Sequence, residues 1–245
     1  MKLRYRITAG IFSFLVVAVI VFAAILGYTK PCEPVTGAEA TDEMMTAYVY
    51  RCYGSPDILE LAELEKPAPA ADEILVRVKA AAVNPLDWHY MRGSPYFMRL
   101  GTGIGAPKET RLGVDFAGVV EVVGADVSRF KAGDEVFGGR TGAFGEYVMV
   151  SEDQAIAHKP ADVSFEDAAA LPIAAITALQ ALRDKGGVEA GDKVLINGAS
   201  GGVGTFAVQI AKSLGAEVHG VCSTRNVDMV RSLGADRVFD YKQED

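Results

Sequence analysis

The stretch Gly191–Lys212, GDKVLINGASGGVGTFAVQIAK, decides the fold. Val194, Leu195 and Ile196 make a short apolar run bounded by polar residues, the mark of a strand covered on both faces. Gly198, Gly201 and Gly204 follow at three-residue spacing with Gly202 added, so the backbone can turn tightly and approach a pyrophosphate with no Cβ in the way. From Phe206 a helix repeats apolar residues at Val208, Ile210, Ala211 and Leu214 and stops before Gly215, a residue suited to a left-handed helix end. A second strand, Glu217 to Val221, comes next. Such glycines also serve plain strand-to-helix packing. The correct flanks and the following strand turn the pattern into a predicted dinucleotide cradle over Ser200, Gly201, Gly202, Val203 and Gly204, whose helix-start amides face the anion.

These residues resemble the signature of the zeta-crystallin-like quinone oxidoreductases, a zinc-free branch of the medium-chain dehydrogenase/reductase superfamily. The pattern runs through Gly191, Asp192, Leu195, Ala199, Ser200, Gly201, Gly202, Gly204, Gln209 and Lys212, and every position matches. The resemblance extends back to Met45. It implies an α/β chain with a GroES-like antiparallel β-barrel followed by a Rossmann doubly wound parallel sheet. The divisions are a basic flank and membrane helix over 1–29, a linker over 30–45, the GroES-like catalytic domain over 46–165 and the first half of a Rossmann NADP-binding domain over 166–245.

The front part agrees, with short strand-like runs punctuated by Gly, Pro and Asp: AYVYRCYG, ILELAEL, EILVRVKAAAV, FAGVVEVVG, DEVFGG and FGEYVMV. In zinc-dependent relatives of the superfamily two Cys and one His hold the catalytic metal. The matching positions here fall at or near Pro85, at Val114 and at Ile173, none able to bind zinc, and the four-cysteine structural lobe is missing. No zinc is therefore expected. Reduction then rests on holding a nicotinamide hydride near an electrophilic carbon while donors stabilise the developing oxyanion. By resemblance Asn84, in Val83-Asn84-Pro85-Leu86-Asp87-Trp88, lies beside the nicotinamide ribose; by residue type alone it is equally a turn residue before proline. Asp87 is a candidate for orienting that loop and Tyr90 for proton donation, and a solvent-facing polar pair explains both as well. His89, His158 and His219 are scattered singly and read as surface or packing residues. The segment SPYFMRLGTGIGAPKETRLG, with Tyr96, Phe97, Met98 and Leu100, resembles a substrate-side loop, and ordinary packing accounts for the same residues.

Enzymes that prefer NAD place an acid at the end of the second strand. Here Val221-Cys222-Ser223-Thr224-Arg225-Asn226 holds no acid, and Ser223, Arg225 and Asn226 offer polar groups to a 2′-phosphate, so NADPH is the predicted cofactor. Tyr241 matches a family tyrosine near the same phosphate. Thr177 matches a family threonine near the nicotinamide ribose.

A net charge of -8 argues against nucleic acid as a partner. Cys32, Cys52 and Cys222 show no CxxC spacing and predict reduced free thiols. After Lys2, Arg4 and Arg6 comes an uncharged run from Ile7 to Thr29, long enough to span a bilayer. A single-pass membrane anchor is predicted, with Met1 in the cytoplasm by its basic flank, while Ala38-Glu39-Ala40 keeps a cleaved signal peptide open. That topology would put the enzyme domain across the membrane from cytoplasmic cofactor. KPCEPVTGAEATDEM, Lys30 to Met44, reads as a tether.

The sequence ends at Asp245, just after a third strand, where a doubly wound domain needs a second half. A truncated chain with an unpaired sheet edge and weak turnover is the expectation. Two functions remain: an NADPH-dependent reductase of a quinone, enone or other small carbonyl compound, a homodimer at full length, and a catalytically incomplete NADPH-binding scaffold.

Overall fold

The computed structural model describes residues 2–33 and 43–244, with helix side chains from residue 11 onward. Strands β1 (Met44–Val49) and β2 (Glu60–Glu65) form an antiparallel pair. A five-stranded antiparallel sheet follows from β3 (Glu73–Ala82), β4 (Asp115–Val123), β5 (Glu135–Gly139), β6 (Tyr147–Ser151) and β7 (Ile156–His158), ordered β6-β3-β4-β5-β7. Isolated bridges from Ala47 to Gly145 and from Val49 to Arg111 tie β1 to the segments that precede β6 and β4. Alternation sends Ile74, Val76, Phe116, Val120, Val136, Val148 and Val150 into one core, the period-2 pattern of a sheet with one wet face.

The chain leaves β3 into α2 (Pro85–Arg92), with Asn84 at its N-cap, Pro85 at its first turn and left-handed Gly93 at its end. Its fourth residue is Trp88, the one tryptophan of the sequence, half exposed beneath the Arg92 guanidinium and edge-on to His89. Beyond the Tyr96–Met98 turn lies α3 (Arg99–Thr102).

After β7, α4 (Phe165–Ala169) and α5 (Pro172–Leu179) lead into a π-helical turn, Gln180–Lys185. The second unit alternates β8 (Lys193–Asn197), α6 (Gly202–Ser213), β9 (Glu217–Cys222), α7 (Val227–Ser232) and β10 (Arg237–Asp240) in a parallel sheet ordered β10-β9-β8. Consecutive strands that neighbour each other in this order make one mononucleotide-binding half. Helix α6 buries Gly204, Ala207, Val208 and Ala211, a 3.6-period stripe, against a core with Ile196, Val218 and Val230. It closes on Gly215 at φ 84°, as the sequence predicts.

Two expectations for the N-terminal region are corrected. Helix α1 runs Lys2–Gly27, but among the described residues no helix is long and apolar enough to cross a membrane. Its last turn is also packed onto the protein: Leu26 is buried, and the Leu26 and Tyr28 carbonyls accept from Arg99. The single-pass anchor, the membrane localisation and the cytoplasmic Met1 are set aside on this finding. The Lys30 N–H donates to the Gly105 carbonyl at 2.8 Å. Ala38-Glu39-Ala40 lies outside the described residues. The second correction is covalent. Cys32 and Cys52 form a disulfide with Cα atoms 5.0 Å apart, and Cys222 alone is a free buried thiol. Spacing along the chain carries no information about a pairing made by the fold.

Candidate cofactor and active site

The glycine-rich turn lies at the carboxyl end of β8, where ligands bind open parallel sheets. Gly198 takes φ 73°, and the Ala199 N–H returns to the Val221 carbonyl of β9 at 3.0 Å. A Cβ on Gly204 would lie 2.1 Å from the Gly198 oxygen, so helix and turn approach as closely as backbone permits. Gly202, by contrast, faces open space, with no atom within 4 Å of its Cβ direction. Gly201 is the helix N-cap and offers no side chain to the first amides. The first-turn N–H groups, Val203 among them, have no partner within an α-helix and are free for an anion.

Beside this cradle the second strand ends in polar groups. The Asn226 amide donates to Ser200 Oγ at 3.1 Å and to Ser223 Oγ at 3.3 Å, locking the two strand-end turns together. Arg225 is exposed and makes no ion pair among the described residues. Register pairs Asp240 with Cys222, so Tyr241, 61% exposed, follows β10 alongside Ser223. Ser200, Ser223, Arg225, Asn226 and Tyr241 therefore share one rim of the sheet.

Asn84 and Asp87 act as a unit. The Asn84 N–H donates to Asp87 Oδ2 at 2.7 Å, starting α2 in a capping arrangement. Burial raises the Asp87 carboxyl above its ordinary range, offset in part by that bond. The Asn84 side chain is held from the other direction, with Nδ2 donating to Asp115 Oδ2 at 3.0 Å. Asp115, at the start of β4, is 0% exposed and also accepts the Ile173 N–H of α5 at 3.2 Å on both oxygens. One carboxylate thus joins the barrel loop carrying Asn84 to the first turn of the helix carrying Thr177. Desolvation pushes its pKa from 3.8 up to about 6 against the pull of those donors. Sequence reasoning passed over Asp115, reading Gly113-Val114-Asp115 only for its missing zinc ligand. An acid opening the mostly apolar strand DFAGVVEVV was the available signal.

Between barrel and α5 opens a cleft of about 510 Å³, lined by Leu86, Tyr90, Val114, Arg140, Thr141, Gln154, Ile173, Ile176 and Thr177 among others. Tyr90 and Thr177 line the same space, whereas Asn84 does not line it and its amide is engaged by Asp115. Val114 and Ile173 are apolar wall. Among the described residues no group of three or more His, Cys, Asp or Glu is placed to hold a metal. The histidines serve packing: His89 Nδ1 meets the Ser94 carbonyl, His158 packs on Phe130, and His219 pairs with Glu217.

Comparison with known proteins adds independent findings. Residues 70–161 match the alcohol dehydrogenase GroES-like domain, and residues 202–245 match the zinc-binding dehydrogenase domain. A chloroplastic quinone-oxidoreductase homolog of Spinacia oleracea is 40% identical over 212 residues, covering 82% of this chain and 62% of that protein. The chain thus spans about three-fifths of the length of that curated relative. The quinone oxidoreductase of Coxiella burnetii superposes with a TM-score of 0.74 at 36% identity, over 83% of this chain and 64% of that one. The Escherichia coli quinone oxidoreductase, solved in complex with NADPH, superposes at 0.71 with 31% identity, over 82% and 60%.

Proposed function

Because this chain belongs to the medium-chain dehydrogenase/reductase family, we propose that it serves NADPH-dependent, zinc-independent hydride transfer to a quinone, an enone or another small carbonyl compound. The observation that carries this reading is the glycine cradle, with no room for a Cβ at Gly204; an exposed Arg225 after an acid-free strand end and a cleft lined by Tyr90 and Thr177 support it.

The residues fit the cofactor. The α6 first-turn amides and Ser200 would hold the pyrophosphate, while Ser223, Arg225, Asn226 and Tyr241 would take the 2′-phosphate. A bound nicotinamide would supply the hydride. This chain's own residues position and stabilise. Asp87 fixes the backbone of Asn84, Asp115 fixes its amide, and Thr177 is delivered by the helix that Asp115 caps. The apolar walls at Leu86, Val114 and Ile176 exclude water, which strengthens any polar contact to a developing oxyanion. Tyr90, which lines the cleft with Thr141 and Thr177, would donate the proton through its hydroxyl.

The test is a fluorescence titration with NADPH and with NADH, followed by cofactor oxidation with 1,4-benzoquinone in the presence of a zinc chelator. Arg225→Ala is expected to weaken NADPH by about ten- to a hundredfold, the scale of losing a charge-assisted phosphate contact, and to leave NADH unchanged. Equal loss for both cofactors would reject the phosphate assignment. Chelator-sensitive turnover would reject the zinc-independent mechanism, and selective binding without turnover would favour the scaffold reading.

A further inference from the structure

Arg99 is 3% exposed and has no carboxylate partner among the described residues. Its guanidinium is satisfied by oxygens instead. Nη1 donates to the Leu26 carbonyl at 3.0 Å, the Tyr28 carbonyl at 2.9 Å and Thr29 Oγ1 at 3.2 Å. Nε reaches the Gly93 carbonyl at 2.8 Å, and the cation packs against the rings of Tyr53 and Tyr96, 4.4 and 4.7 Å from their centres. Three acceptors thus come from the last turn of α1 and the two residues that follow Gly27. The Lys30 N–H adds a bond to Gly105, and Tyr53 Oη donates to the Gly103 carbonyl at 2.7 Å. Residues 26–32 form a strap across the loop 96–108. The Cys32–Cys52 bond fastens its far end next to Tyr53.

That loop contributes Gly101, Thr102 and Lys108 to a cavity of about 170 Å³, and two further lining residues, Tyr90 and Thr141, also line the main cleft. A buried guanidinium that loses three acceptors pays a full desolvation penalty, so loop and strap must order or loosen together. We propose that Cys32–Cys52 is a redox latch on the substrate loop: oxidised, it keeps the strap seated and the cleft formed, and reduced, it releases both. The inference rests on the reading of the cleft as the substrate site. Cys32 is exposed and Cys52 is buried, so a dithiol reductant attacks the Cys32 sulfur through its thiolate and expels the Cys52 thiolate. The reductant's second thiol then displaces Cys32, leaving two protein thiols and one oxidised cyclic disulfide. The cofactor cradle, Gly198 to Gly204 with Ser223 and Arg225, shares none of these contacts, so the effect falls on substrate and spares the cofactor.

The test begins with thiol counting in the denatured chain, where one thiol is expected before a dithiol reductant and three after it. Reduction, and separately Cys32→Ser, should speed amide exchange in 96–108 by roughly tenfold and leave 198–204 unchanged. Arg99→Lys should loosen the same loop with the disulfide intact. In turnover, the KM for the quinone should rise while NADPH affinity holds. Three thiols in the untreated chain, or unchanged loop exchange once three are counted, would overturn the latch. Absent NADPH binding in the oxidised protein would instead sink the cofactor reading, and the exchange comparison would still decide the latch.

Discussion

Gly204→Ala is expected to cost about 3 kcal/mol of stability, at the upper end for overpacking, because its new methyl must sit 2.1 Å from a backbone oxygen that cannot rotate away. Gly202→Ala, two residues earlier in the same turn, should do the opposite. It meets no atom within 4 Å and replaces a helical glycine, so stability should hold or rise by up to about 1 kcal/mol. NADPH affinity should nevertheless fall, since the methyl projects into the space an anion would use. Chemical denaturation and cofactor titration of both variants separate the two roles. Equal destabilisation by both would show that the turn is not packed as described.

The second large effect is expected at Asp115. Asp115→Asn keeps the shape but sets an amide donor against the Asn84 amide and the Ile173 N–H. Displacement of reacting groups by about 1 Å can cost about a hundredfold in rate, so kcat should drop by roughly ten- to a hundredfold while NADPH affinity changes little. The raised pKa adds a signature of defined sign. A carboxyl that ionises at 3.8 unfolded and at about 6 folded holds its proton more tightly in the fold. Its stabilising contribution is complete below pH 4, is lost as pH rises through about 6, and is constant above. Denaturation at pH 4.5 and 7 should show this loss in the parent and not in the variant. An unchanged pH dependence would place the titration elsewhere.

The cofactor unit was legible because its constraints are local. A glycine spacing, an apolar run and a 3.6-residue stripe from Phe206 to Leu214 each follow from backbone geometry within a few residues. The barrel strands were legible for the same reason, from alternation in EILVRVKAAAV and FGEYVMV. Asp115, Arg99 and Cys32 were not, because each matters through partners far along the chain: Asp115 at 31 and 58 residues' distance, Arg99 at 70 to 73, Cys32 at 20. An arginine between Met98 and Leu100 gives no sequence sign that it will be buried on carbonyls. The apolar N-terminal run misled in the other direction, since composition reports affinity for oil without saying what the last turn packs against.

Helix α2 also supplies an optical probe that needs no labelling. Trp88 sits one residue beyond Asp87 and four beyond Asn84, so the chain's whole indole emission comes from the helix that frames the reaction cleft. Reduced nicotinamide absorbs where indole emits, and energy transfer from Trp88 would report cofactor occupancy from the helix that carries Leu86 and Tyr90 rather than from the bulk cofactor signal.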